Sequence, residues 1–229
     1  MPHGYRHIRK IKMPHSKIDD PSHWLTSKRV RQYLERADKI PHRTEGENTL
    51  LNFIPRKTSR VLDLGTGDGR LIRLLKGKIP AAKCAVLDFS PDMIRALRKK
   101  FGNENSITIV HHNLNSPLPN LGNFDVVVSG LAIHHLKDNR KKTLYSEIFS
   151  MLKPGGLFCN LDHFATSSKK LAQQFRKAMG RQRPPNREHE ERLNHVETQI
   201  VWLKKIGFVD VDCYWKWLQF ALLISFKPN

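Results

Sequence analysis

No stretch of the 229-residue chain approaches the roughly 20 consecutive apolar residues that a membrane-spanning helix needs. The first twenty residues contain no apolar core segment either, so a secretory signal is not expected. Cysteine is scarce. Cys84, Cys159 and Cys213 are odd in number, form no C-x-x-C pair and each sit inside an apolar run, which argues against a disulfide framework and against a zinc site. Buried free thiols in a reducing compartment are the expectation, and with them a cytoplasmic location. Acidic residues are also few: 21 Asp and Glu stand against 40 Lys and Arg, giving a formal net charge of +19. That field attracts polyanions such as RNA. The basic residues are nevertheless spread along the whole chain, as solvated faces are, and no membrane partner is expected.

Against these absences stands a regular texture. Residues 1–20 read as a flexible basic arm. Residues 21–55 read as a helical cap, with Val30, Tyr33, Leu34 and Ala37 at helical spacing and a second helical run through Leu50, Leu51 and Phe53 that stops at Pro55. From residue 56 to 229 short apolar runs alternate with charged helical segments. Strands are expected at 60–65, 84–89, 107–112, 124–130 and 157–163, with helices at 69–78, 91–101, 139–152 and 167–179 between them. The Pro154-Gly155-Gly156 turn ends the helix before the fifth strand. Such alternation builds a parallel sheet covered on both faces. Residues 181–193 read as a polar loop, 194–206 as a helix, and 209–216 with 220–226 as two strands too close for a crossover, hence an antiparallel hairpin. The expected fold is therefore an α/β Rossmann-like three-layer sandwich: a mostly parallel seven-stranded sheet with a C-terminal antiparallel hairpin and an N-terminal helical cap.

The chemistry concentrates at strand ends. Asp63-Leu64-Gly65-Thr66-Gly67-Asp68-Gly69 follows the first strand and opens a helix. Glycines there permit positive φ and close approach of a ligand. The turn is not a dinucleotide cradle, because position 70 is Arg70 where the third glycine of that pattern would fall. Asp68 at the helix N-terminus would also repel a pyrophosphate. An acidic turn suits a cationic ligand. At the end of the second strand, Asp88 can accept both hydroxyls of a ribose, and Ser90-Pro91-Asp92 reads as a helix start with a capping serine.

In these motifs the chain resembles the class I S-adenosylmethionine (SAM)-dependent methyltransferases over roughly residues 55–229, an extent set by strand order. The resemblance implies that Asp63, Gly65, Thr66 and Gly67 line the methionine part of SAM and that Asp88 holds the ribose. It places Phe89 and Met93 beside the adenine. Asn113 and Leu114 match the adenine-amino position, where the family usually carries Asp, and the amide oxygen of Asn113 could accept that bond. Leu152-Lys153-Pro154-Gly155-Gly156 matches the turn before the fifth strand. Ser129 and the following Gly130 to Leu136 end the fourth strand and should face the transferred methyl, with His134 and His135 as candidate proton acceptors and His163 on the same rim. Packing or capping roles for these histidines stay open. Tyr214, Trp215, Trp217 and Phe220 suit either a stacked acceptor or a packed hairpin, while Trp24, Tyr33, His42 and Arg43 could close over the cofactor. No metal is assigned. SAM is the expected cofactor, S-adenosylhomocysteine its product, and a small molecule the expected methyl acceptor. A transfer or ribosomal RNA acceptor, or a catalytically silent scaffold, remain as alternatives; oligomeric state is not readable.

Overall fold

The computed structural model describes residues 40–180 and 187–229, together with Val30, Glu35 and Ala37. The expected arm, most of the first cap helix with Tyr33 and Leu34, and Trp24 lie outside the described residues. Seven strands form one sheet: β1 (Arg60–Leu64), β2 (Lys83–Asp88), β3 (Ile107–His111), β4 (Phe124–Gly130), β5 (Leu152–His163), β6 (Val209–Trp217) and β7 (Phe220–Phe226). Their spatial order is β3-β2-β1-β4-β5-β7-β6. β1 to β5 run parallel, and β7 pairs antiparallel with both β5 and β6.

The helices among the described residues are α1 (Arg43–Phe53), α2 (Arg70–Lys78), α3 (Pro91–Phe101), α4 (Asp138–Met151), α5 (Lys169–Ala178), α6 (Arg187–Arg192) and α7 (Val196–Ile206). Period-two alternation distributes the strand side chains between two cores. Val61, Val86, Val126 and Val128 face Leu50 of α1, Leu71 and Leu75 of α2 and Leu97 of α3. Leu62, Leu64, Leu87 and Val127 face Leu144 and Ile148 of α4 and Leu203 of α7. None of the described helices is long and apolar enough to cross a membrane.

Three expectations need correction. β5 begins at Leu152, not at 157, because Leu152 already pairs with Phe124 and Leu157 pairs with Val126. Pro154-Gly155-Gly156 is thus absorbed as a bulge in the strand, with Gly155 at φ +70°. Residues 187–192, expected within a polar loop, form the short helix α6. Arg and Glu are good helix formers, and this run lies just beyond Pro184-Pro185. Finally, Ser90 holds the N-cap backbone geometry of α3 but makes no side-chain cap; its N–H instead donates to Asp88.

Strand order reverses between β1, whose neighbours are β2 and β4, and the connections on either side depart in opposite directions. The crevice at such a switch point, beyond the carboxyl ends of the strands, is where open α/β sheets bind ligands.

Candidate active site

A cleft open to solvent lies at that switch point. Its floor over β1, β2 and β3 is the glycine turn and the two strand-end carboxylates. Gly65 has φ +67°, and a Cβ there would stand 2.3 Å from the Cβ of Ala132, so no other residue fits. The Thr66 N–H donates to the Leu87 carbonyl and its hydroxyl to Asp63 Oδ2 at 2.6 Å. Asp88 closes the turn: Oδ2 accepts the Gly67 N–H at 2.8 Å and Oδ1 accepts the Ser90 N–H at 2.9 Å. Burial raises its pKa, opposed by those N–H donors.

Asp63 is fully buried, and its Oδ1 has no protein partner. Burial pushes its carboxyl up to about 7, against the pull of the Thr66 hydroxyl and with a further push from Asp88. A buried acceptor left open beside a cleft is the place for a ligand donor, and above all for a cationic one. Asp68, by contrast, does not supply the negative field expected of it. Its carboxylate is paired with Lys100 at 2.5 Å. The acidic character of the turn therefore comes from Asp63 and Asp88.

Asp63, Gly65, Thr66, Gly67, Asp88, Phe89, Met93, Asn113 and Leu114 all line this one cleft. Ser129 does not: it is buried within the sheet, and its hydroxyl donates to the Leu64 carbonyl. The Asn113 amide oxygen, expected to accept from a ligand, is engaged by the N–H and side-chain amide of Asn115. That loop is pinned from α4, where Arg140 donates to the carbonyls of Leu114 and Ser116 and pairs with Glu147.

Over β4 and β5 the lining changes character. A one-turn 3₁₀ helix, Ile133–His135, sends its two histidines different ways. His135 lines the cleft. His134 turns into the protein, where both its backbone N–H and its Nδ1 meet the carboxylate of Asp162, at 2.8 and 2.5 Å. Asp162 is itself fully buried, and burial raises its pKa. The His134 ring packs on His135 at 3.9 Å between centroids. His163 lies against Phe220 and is absent from the cleft lining. Of the three candidate histidines only His135 reaches the cleft.

Several lining residues carry no motif. Glu47 of α1, only 2% exposed, receives Arg43 at 2.8 Å and Arg70 at 2.7 Å, and so ties α1 to the start of α2. Arg43, Glu47, His112, Leu161 and Arg192 complete the wall. The C-terminal aromatics act as a packing surface for α1. Tyr214 meets Phe53, Trp217 stacks on His42 at 4.4 Å, and Trp215 lies against Gly46. None of them lines the cleft.

A family model described as a methyltransferase domain matches residues 61–156. That span runs from β1, just before the glycine turn, to the end of the Pro-Gly-Gly bulge. Over this span the chain is similar to the SAM-dependent methyltransferases. An uncharacterized methyltransferase of Mycobacterium tuberculosis is 36% identical over 105 residues, which is 45% of this chain and 50% of that protein. The chain thus spans about half the length of the first curated relatives it matches. A carboxy-S-adenosyl-L-methionine synthase of Desulforapulum autotrophicum is 28% identical over 199 residues, 78% of each chain. The crystal structure of human N-acetylserotonin methyltransferase in complex with SAM shares the fold, with a TM-score of 0.64 and 18% identity. It covers 92% of this chain and 61% of the human one.

The residues present fit SAM, the cofactor of this methyltransferase family. The open Asp63 Oδ1 suits a cationic amine, the positive-φ glycines of the turn allow close approach of a ligand, and Asp88 is a carboxylate at a strand end beside the same cleft.

Proposed function

We propose that this chain catalyses transfer of the SAM methyl group to an O, N or S atom of a small-molecule acceptor. The observation that carries the reading is that one cleft brings the glycine turn and the strand-end carboxylates of β1 and β2 together with residues at the ends of β4 and β5, among them Gly130, His135 and Leu161.

In this reading Asp63 and the glycine turn hold the amino-acid end of the cofactor, and Asp88 holds the ribose. Phe89, Met93 and Leu114 sandwich the base. Bound SAM supplies a methyl already activated by its sulfonium, so positioning can provide most of the rate. His135, beyond the end of β4, is placed to take a proton from an attacking hydroxyl or amine. Asp162 acts through His134 as a positioning residue: its grip on Nδ1 and on the backbone N–H fixes the turn that presents His135. The cap helix α1 contributes Arg43 and Glu47 to the wall and serves as a lid whose order depends on the cofactor. A pocket roofed by α1 and α6 favours a small acceptor over a folded RNA, in which the target base would first have to be flipped out.

The test is isotopic. The full chain is incubated with methyl-labelled SAM and a cell extract separated into small-molecule and RNA fractions, and the label is followed by mass spectrometry. Label is expected in a small molecule and reduced by His135→Ala. Label in the RNA fraction alone would replace the acceptor class, and no transfer to either fraction would overturn the reading.

A further inference from the structure

Among the described residues that line the cleft, two buried side-chain atoms have no hydrogen-bond partner: Asp63 Oδ1 and Nε2 of His112. A native fold leaves few such groups, and each calls for a ligand or another explanation. The cofactor's amine answers for the first. His112 follows the last residue of β3 and stands beside Asn113 and Leu114 in the cleft lining.

The surroundings decide what this nitrogen can do. The neighbouring His111 is already committed, its Nε2 donating to the Phe89 carbonyl at 2.8 Å. Asn113 is committed too: its amide oxygen accepts the Asn115 N–H at 3.0 Å and the Asn115 side-chain amide at 3.2 Å, one for each lone pair. Burial lowers the His112 pKa, against a hydrogen bond to the Ser116 backbone that raises it. The ring is therefore neutral at pH 7. A bond that raises a histidine's pKa is one in which the ring donates, so the Ser116 carbonyl is the acceptor. The Ser116 N–H is spent on the Asn113 carbonyl at 2.9 Å. With Nε2 unpartnered, the donor to Ser116 is Nδ1. A neutral imidazole carries one N–H, so Nε2 keeps a lone pair and is an acceptor. Arg140 of α4 steadies this arrangement, donating to the same Ser116 carbonyl at 2.8 Å and to the Leu114 carbonyl at 2.6 Å.

We infer that His112 Nε2 accepts the exocyclic amino group of the cofactor's purine, in place of Asn113, and so selects an amino purine over an oxo purine. The inference rests on the methyltransferase reading, in which Phe89, Met93 and Leu114 hold the base in the same part of the cleft. Adenine offers an N6 amino donor. A 6-oxo purine presents an oxygen there instead, and two acceptors would meet lone pair to lone pair. A buried acceptor stranded in that way costs more than the hydrogen bond contributes.

The full chain is titrated calorimetrically with S-adenosylhomocysteine, with its 6-deamino analogue (hydrogen in place of the amino group) and with its 6-oxo analogue, S-inosylhomocysteine. The native chain should bind S-adenosylhomocysteine about 10-fold more tightly than the deamino analogue, the value of one hydrogen bond to an otherwise unpaired buried acceptor, and should bind the oxo analogue more weakly still. His112→Phe keeps a ring and loses the lone pair. It should bring S-adenosylhomocysteine down to the affinity of the deamino analogue and leave that analogue unaffected, which also shows that the variant folds. His112→Gln, with an amide oxygen able to reach the place of Nε2, should restore part of the preference. A native chain indifferent to the amino group, a preference that survives His112→Phe, or loss of all three ligands in both variants each overturns the inference. Failure of the native chain to bind any of the three would instead overturn the methyltransferase reading itself.

Discussion

The floor and the wall of the cleft are assembled by different means. The floor is local. Asp63, Gly65, Thr66 and Gly67 fall within five consecutive positions, and Asp88 reaches the same turn across one β-strand neighbour. Its hydrogen bonds run mostly from backbone N–H groups to carboxylates. The wall is distant in sequence: Arg43, His135, Leu161 and Arg192 come from four separate elements, and side chains from deep in the protein hold them. Local backbone geometry suits a ligand of constant shape, whereas a wall held by replaceable side chains suits an acceptor that differs between relatives. If this division is real, damage to one half should leave the other working.

The largest effect is expected behind the wall. Asp162 accepts the His134 Nδ1 and N–H and the His163 N–H, all in a buried site. Asp162→Ala strands these donors, and a loss of about 3 kcal/mol or more in unfolding free energy should appear in a urea titration. At a temperature where the variant is still folded, turnover should fall while S-adenosylhomocysteine affinity stays close to that of the native chain. A parallel collapse of cofactor affinity would mean that floor and wall are one unit.

The next effect belongs to the floor. Asp88→Ala removes the acceptor for the Gly67 and Ser90 N–H groups and opens the glycine turn. Cofactor affinity measured by calorimetry should drop about 100-fold, as expected for two hydrogen bonds to a charged group. Turnover should recover in a protein saturated at higher cofactor concentration. Cofactor affinity within threefold of native would show that Asp88 only closes the turn and holds no ribose.

This division also governs what could be read from the sequence. The glycine turn, Asp88 and the seven strands were legible because turn chemistry and apolar runs are local signals. The other strand ends shifted by at most one residue, whereas β5 starts five residues early, since pairing of Leu152 with Phe124 outweighs the turn tendency of Pro154-Gly155-Gly156. The wall was mostly illegible. Lys141 is one of 40 basic residues, and nothing in the chain marks it as the buried one. Neighbouring His134 and His135 are indistinguishable until the 3₁₀ turn directs one inward and the other to the cleft. Asn113 and Asp68 were read as ligand-facing because of their positions, yet Asn115 and Lys100 claim them first. The run Arg187–Arg192 did carry a signal, a cluster of good helix formers, which the prolines before it masked.

The smallest effect is the sharpest probe of the floor alone, because it turns on a single proton. The Asp63 carboxyl is pushed up to about 7 by burial, with the Asp88 charge adding to the rise. An ordinary unfolded aspartate titrates near 3.9, so the folded pKa is the higher one. The sign follows: the native state binds the extra proton, and this group's stabilising contribution is complete below about pH 4 and is lost as pH rises through about 7. A cationic amine docked on Oδ1 favours the ionised form, so the ligand opposes that trend. At pH 6 most of the carboxyl is protonated and binding must expel the proton; at pH 8 it is already ionised. Cofactor affinity should therefore rise about 10-fold from pH 6 to pH 8. Titrations at pH 6 in buffers of different ionisation enthalpy should report close to one proton released. Asp63→Asn, which keeps the shape and removes the charge, should bind more weakly at pH 8 and show little pH dependence. A native affinity that is flat across this range, with no proton release, would show that the amine is held elsewhere and that the acidic floor does not choose the cationic cofactor.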